Sequence, residues 1–160
     1  MTAALMMKLL ATTSSATLTD SPKAAYRASL SVDTSCLIAV ALREAGYEVY
    51  MERLTRATTL HLSAVTRVEL GIVSHNKMIA RQVEALLTAL NVDIEPFDAA
   101  QAALALTAFT KYGKGRHPAA LNFGDCYAYA LAKSMNLPLL YKGNDFAQTD
   151  VASAMSVGTA

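Results

Sequence analysis

Tryptophan is absent from the 160 residues, cysteine occurs twice, histidine three times and proline four times. There is no CxxC motif and no Cys/His cluster, which argues against a structural zinc site. Cys36 and Cys126 each lie in an apolar run and are expected to be buried, reduced thiols rather than a disulfide pair. Charge of either sign is also scarce. Fourteen Lys and Arg nearly balance thirteen Asp and Glu, for a net charge of +1. No global field attracts nucleic acid, so any such attraction has to come from a local patch. No uncharged apolar run approaches the ~18 residues of a spanning helix, and no membrane partner is expected. What is plentiful is apolar side chain, at 53%. That excludes disorder, supplies a core for one domain of this length, and leaves apolar surface for a partner.

The chain divides by texture. Residues 1–28 include polar, aperiodic stretches such as Thr12-Thr13-Ser14-Ser15 and read as a poorly ordered N-terminal extension. The apolar stretch from Ala3 to Ala11 is short and interrupted by Lys8, so a signal or transit peptide is the lesser reading. Residues 29–150 form the domain, and 151–160 a small, polar, loose C-terminal tail. Within the domain, strands are expected at 29–33, 59–63, 92–95 and 138–141. Helices are expected at 35–44, 47–56, 64–75, 77–90, 98–111 and 122–135. Ser63, Asp98 and Asn122 stand where helix caps belong. Alternation of strand and helix predicts an α/β fold, a parallel sheet covered on both faces.

Four acids stand where carboxylates are hard to explain structurally. Asp33 ends the apolar run Leu30-Ser31-Val32, and Asp145 follows Pro138-Leu139-Leu140-Tyr141 after a short turn. Glu69 lies four residues after Val65 and three before Ile72, on the side expected for the core stripe. Asp125 opens an apolar helix. In open parallel sheets ligands bind beyond the carboxyl ends of the strands, and topology directs Asp33, Glu69 and Asp145 there. Gathered carboxylates repel one another unless compensated, and a hard divalent cation such as Mg²⁺ or Mn²⁺ is the usual compensation. Each acid has a plainer reading: helix cap for Asp33, snorkelling edge residue for Glu69, capping box for Asp125, turn residue for Asp145. All four on one sheet edge fit those plainer readings less well.

One basic patch is dense: Lys111-Tyr112-Gly113-Lys114-Gly115-Arg116-His117-Pro118. It is either a solvated loop or a mobile phosphate-gripping loop, with Lys111, Lys114 and Arg116 on the backbone and Tyr112 stacking on a base.

The blocks Leu30-Ser31-Val32-Asp33-Thr34-Ser35, Val65-Thr66-Arg67-Val68-Glu69-Leu70, Leu121-Asn122-Phe123-Gly124-Asp125-Cys126 and Lys142-Gly143-Asn144-Asp145-Phe146 resemble the four signature blocks of PIN-domain nucleases. Their order and spacing are most similar to the VapC-type toxin ribonucleases of bacterial toxin–antitoxin pairs. The resemblance covers about residues 29–150, and the extension before it departs from the family's usual start. It implies a three-layer α/β/α domain and Mg²⁺- or Mn²⁺-dependent cleavage of RNA phosphodiesters in the cytoplasm. It also implies a homodimer and an antitoxin whose tail enters the acidic groove. Asp33 and Asp125 carry over as the principal metal ligands, with Glu69 and Asp145 as the other catalytic acids. Thr34 or Ser35 would support the first Asp, Asn122 the third acid, and Asp150 would be a fifth acid.

Two other classes compete. An Asp-dependent phosphotransferase of the dehalogenase type expects a second Asp two residues after the first, where this chain has Ser35. A catalytically silent binding module acting with an antitoxin has no need of four acids.

Overall fold

Short strands, apolar except at the β3 edge, separated by helices give the element order expected for a parallel sheet. A computed structural model of the chain describes residues 28–156. The expected extension, up to residue 27, and the last four residues of the tail lie outside the described residues. The elements run β1 (Leu30–Val32), α1 (Thr34–Leu42), α2 (Tyr47–Arg56), β2 (Leu60–Ser63), α3 (Ala64–Asn76), α4 (Ala80–Leu90), β3 (Asp93–Glu95), α5 (Ala99–Tyr112), α6 (Phe123–Ser134) and β4 (Leu139–Leu140), followed by a 3₁₀ turn at Phe146–Gln148. The strands lie in the order β3-β2-β1-β4, all parallel. Ser31 pairs with His61 on one side and Leu139 on the other, which fixes the register of β1 against both its neighbours.

Two apolar clusters cover the sheet, as the three-layer α/β/α reading requires. Successive side chains of a strand point to opposite faces. Leu30, Val32, Leu60, Leu62 and Leu140 therefore share one cluster with Leu37 of α1, Leu54 of α2, Leu70 of α3 and Val83 and Leu86 of α4. Leu139 and Tyr141 join the other, with Ala105 and Ala108 of α5 and Ala128, Tyr129 and Ala132 of α6. The second layer is built largely from alanine, which lets α6 lie close to both α5 and the sheet. Most of α6 is buried, from Cys126 to Ala132. Truncating a wholly buried leucine such as Leu37 would cost about 2–5 kcal/mol.

Several local expectations are corrected. The helix expected from residue 77 begins at Ala80, because Met78 takes a left-handed φ of 57° and the chain turns there before buried Ile79. Ser63 makes no capping bond: β2 passes directly into α3, and its hydroxyl is buried without a partner. Asp98 does cap, accepting from the Gln101 N–H at 2.8 Å. The core stripe of α3 is Thr66, Leu70 and Ser74, while Ile72 is 57% exposed, so the apolar neighbours of Glu69 do not mark the core. The tail is not loose as far as residue 156. Val151 and Ala154 are buried, and Leu139 exchanges bonds with Ala152 and Ala154, adding a short bridge beside β4. Cys36 and Cys126 are buried free thiols. No described helix is long and apolar enough to cross a membrane.

Candidate active site

At the carboxyl edge of the sheet lies a cleft of about 350 Å³, lined by Asp33, Thr34, Ser35, Ile38, Glu44, Glu69, Val73, Asn122, Asp125, Lys142 and Asp145. The four acids singled out in the sequence all face it. Each arrives by a different route. Asp33 is the residue where β1 ends and α1 begins, and it is 4% exposed. It caps α1, accepting from the Ser35 N–H at 2.9 Å and the Ser35 hydroxyl at 2.5 Å. Capping and burial in the cleft are thus one placement, not alternatives. Ser35 Oγ in turn accepts from the N–H of Lys142 at 2.9 Å, which ties the turn after β4 to the first acid.

Glu69 reaches the cleft from the second turn of α3. Thr34 donates to its Oε2 at 3.1 Å. The two hydroxyls of the Asp33-Thr34-Ser35 block therefore divide their work: Ser35 holds Asp33 and Thr34 holds Glu69. Asp125 lies in the first turn of α6, in a reciprocal capping box. Its N–H donates to Asn122 Oδ1 at 3.0 Å and its carboxylate accepts from the Asn122 N–H at 2.7 Å. Asp145, the most open of the four, opens the 3₁₀ turn beyond β4.

The electrostatics are those of an uncompensated cluster. Burial pushes the Asp33 carboxyl above its ordinary range, against the bonds from Ser35, and the Asp145 charge adds to the rise. Burial also raises Glu69, partly offset by Thr34 and reinforced by Asp33. Asp125 is pushed up to about 7, first by burial and then by repulsion from Asp33, Asp145 and Glu69. Carboxylates that raise one another in this way favour either protons or a cation between them.

Three residues of the site escaped the sequence reading. Gly124 is the clearest. A Cβ there would fall 2.4 Å from Glu69 Oε1, so only glycine lets that carboxylate rest against the first turn of α6. The favourable N-terminal end of a helix dipole faces an anion there. The available signal was a glycine inside a helix start, immediately before an acid. Lys142 and Glu44 also line the cleft and form an ion pair with each other. No sequence pattern links them, since they are brought together only by tertiary contact.

Other expected residues lie elsewhere. Asp150 does not face the cleft. It accepts from the Tyr129 hydroxyl at 2.7 Å, with Lys133 at 3.5 Å and Lys111 at 3.7 Å. The basic loop is braced rather than free: the Lys114 N–H donates to Leu121 O, and those of Arg116 and His117 donate to Gly113 O. A Cβ at Gly113 would meet Phe109 O at 2.3 Å, so the close exit from α5 needs glycine. Lys111, Lys114 and Arg116 are exposed, though Arg116 lies over the Phe109 ring and Lys111 over that of Tyr112. Tyr112 itself is 5% exposed, packed against His117 and Tyr129, and has no face to offer a base. The most exposed aromatic among the described residues is Phe123, at 74%, held edge-on by Tyr127.

The comparisons with known proteins bear on the family and the fold. The model of the PIN domain matches residues 30–152. The chain is 41% identical over 127 residues to ribonuclease VapC42 of Mycobacterium tuberculosis, covering 77% of this chain and 97% of that protein. It is 41% identical over 128 residues to ribonuclease VapC28 of the same organism, covering 78% and 96%. Among solved structures, the sarcin-ricin loop cleaving toxin VapC20 of M. tuberculosis superposes with a TM-score of 0.62 at 16% identity, over 77% of this chain and 96% of that one. A toxin–antitoxin complex from Klebsiella pneumoniae gives 0.58 at 18%, over 76% and 92%. These two share the fold. An acidic cleft built at the sheet edge, a family match across nearly the whole described chain, and relatives matched over 96–97% of their own length place this protein in the PIN-domain family, among the VapC ribonucleases.

Proposed function

We propose that the cleft is the active site of a divalent-metal-dependent endoribonuclease, the toxin of a VapBC-type pair. The observation that carries this reading is the convergence of Asp33, Glu69, Asp125 and Asp145, with Asp125 raised to about 7 by burial and then by its acidic neighbours. Among the described residues no three His, Cys, Asp or Glu side chains form a ready-made ligand set. The donors are nonetheless all oxygen, and Mg²⁺ keeps several waters rather than filling its shell with protein. Asp33 and Asp125 would hold the ion, Mg²⁺ or Mn²⁺. Bound there, it would lower the pKa of a water and polarise a phosphate oxygen. Glu69, steadied by Thr34 and Gly124, would orient that water or take its proton, with Asp145 in the same role from the open side. Lys111, Lys114 and Arg116, just before Asn122, would hold substrate phosphates.

The decisive experiment compares hydrolysis of RNA with that of a small phosphate ester, with and without EDTA, and with Mg²⁺ or Mn²⁺ restored. Cleavage of RNA that persists after exhaustive metal removal overturns the metal, and a preference for the small ester overturns the ribonuclease.

Two partners follow. Val68 and Ile72 are one turn apart on α3 and 61% and 57% exposed, which suits a homodimer face; sedimentation giving only monomer at micromolar concentration would count against it. An antitoxin that places an Arg or Lys among the four acids would form a charge-assisted pair, strongest where the antitoxin itself excludes solvent. Metal occupancy is then expected to fall as antitoxin is titrated in, and unchanged occupancy in a fully inhibited complex rules the competition out.

A further inference from the structure

The cleft contains one cation that the proposed chemistry does not use. Five carboxylates line it, and Lys142 is the single basic side chain among the lining residues. Its backbone is pinned at the Asp33 end of the cleft, because its N–H donates to the Ser35 hydroxyl that itself donates to Asp33. Its ammonium is paired with Glu44. Glu44 belongs to the turn beyond the far end of α1, where Arg43 takes a left-handed φ of 53° and the Glu44 N–H donates to Ala39 O. α1 has nine residues, about 13 Å at 1.5 Å per residue, so the two ends of this pair are anchored a helix length apart. The lysine stem thus runs along the wall formed by α1, which also presents Ile38 to the cleft.

An ion pair in this position is easily exchanged. Both side chains are 37% exposed, and pairs of that kind hold weakly against solvent and competing ions. An RNA strand entering an acidic cleft brings phosphates that repel Glu44 and attract Lys142. We propose that Lys142 binds a phosphate of the RNA flanking the scissile one, and that Glu44 is its displaceable counter-ion in the free protein. The inference rests on the ribonuclease reading and deepens it, since it makes the preferred substrate a strand of several nucleotides rather than an isolated ester. Lysine suits the task, as a flexible point charge able to leave one anion for another.

The test uses a fluorescent single-stranded RNA oligomer and the full chain, with Lys142→Gln, Lys142→Arg and Glu44→Gln. Lys142→Gln is expected to raise KM about five- to tenfold with kcat nearly unchanged, as loss of one charged contact would. It should also flatten the salt dependence by about 0.7 log units. Lys142→Arg should recover most of the affinity. Glu44→Gln should move KM the opposite way, because it frees the lysine. A purely structural latch predicts instead that both neutral variants weaken cleavage together and lower the melting temperature alike; that result, or an unchanged KM in Lys142→Gln, overturns the proposal. Fluorescence anisotropy with EDTA-treated protein reads the same affinities without catalysis. A wild type that binds but does not cut removes the nuclease reading, while the opposite shifts of the two variants still decide the role of Lys142. Absence of binding by every form overturns both.

Discussion

Asp125 lies in the first turn of α6, and Asp150 lies against the middle of the same helix, where Tyr129 reaches it. The two acids have opposite surroundings. Around Asp125 are burial and three further carboxylates, and its pKa is driven up to about 7. Around Asp150 are a phenol donor and two lysines, and its carboxyl is held below the usual range, first by the Tyr129 hydroxyl and then by Lys133 and Lys111. Asp150 is compensated by the protein itself and is complete as it stands. Asp125 and its neighbours are not compensated, and the missing charge is what the proposed function supplies. The residue type does not separate a structural acid from a functional one. Whether the fold has already balanced the charge does.

The largest effect should come from removing the uncompensated acids. Asp33→Ala or Asp125→Ala is expected to lower RNA cleavage by ~1000-fold or more, the equivalent of several kcal/mol of lost electrostatic stabilisation. Neither should unfold the metal-free protein, because each relieves repulsion. Cleavage assays beside circular dichroism check both halves, and activity close to wild type would abolish the distinction between the two sites.

The basic loop comes next. Changing Lys111, Lys114 and Arg116 together to alanine should weaken RNA binding and flatten its salt dependence by about 0.7 log units for each lost phosphate contact. Cleavage positions on a given RNA should not move, because phosphate contacts carry no sequence information. New cut sites at unchanged affinity would show that the loop reads the RNA instead.

Gly124→Ala places a methyl against Glu69, and a flexible carboxylate can swing away from it. A displacement of about 1 Å at a reacting group can cost on the order of tenfold or more in rate. The melting temperature should hold or rise, since alanine suits a helix better than glycine by about 0.5–1 kcal/mol. Full activity with a displaced glutamate would take Glu69 out of the chemistry.

The pH dependence of stability separates the two aspartates directly. Below about pH 4 both folded and unfolded chains keep the Asp125 proton. Between there and about pH 7 the unfolded chain releases it first, so the metal-free fold loses stability as pH rises through that window. Asp125→Asn should flatten this loss while keeping an acceptor for the Asn122 N–H. Melting curves from pH 4 to 8 that are parallel for the two proteins would refute the assignment.

Asp150 should show the reverse sign and the smallest effect. Its lowered pKa contributes stability above the ordinary carboxylate range, lost as pH falls through the folded value. The group is half exposed, so Asp150→Asn is expected to lower stability at neutral pH by less than about 1 kcal/mol. RNA cleavage should be almost unaffected. A loss of cleavage comparable to Asp125→Ala would return Asp150 to the active site.

How much of this was legible beforehand differs from residue to residue. The strand–helix alternation and the end of β1 at Asp33 follow from local apolar runs and the acid that closes one of them. The Asn122–Asp125 capping box is likewise local, needing only a spacing of three. Parallel topology then sends Asp33, Glu69 and Asp145 to one sheet edge, because the strands share a direction. Those matters the amino-acid order determines through short-range sterics, hydrogen bonding and burial. The unpartnered Ser63 hydroxyl and the packing of the tail beside β4 depend on neighbours far along the chain. So do the Tyr129–Asp150 bond, which holds Asp150 away from the cleft, the Glu69–Gly124 contact and the Lys142–Glu44 pair. Each joins residues from separate elements, from 21 residues apart for Tyr129 and Asp150 to 98 for Glu44 and Lys142. Charge is balanced in space and not along the chain, so only the tertiary structure decided which carboxylates were neutralised by the fold and which were left facing one another.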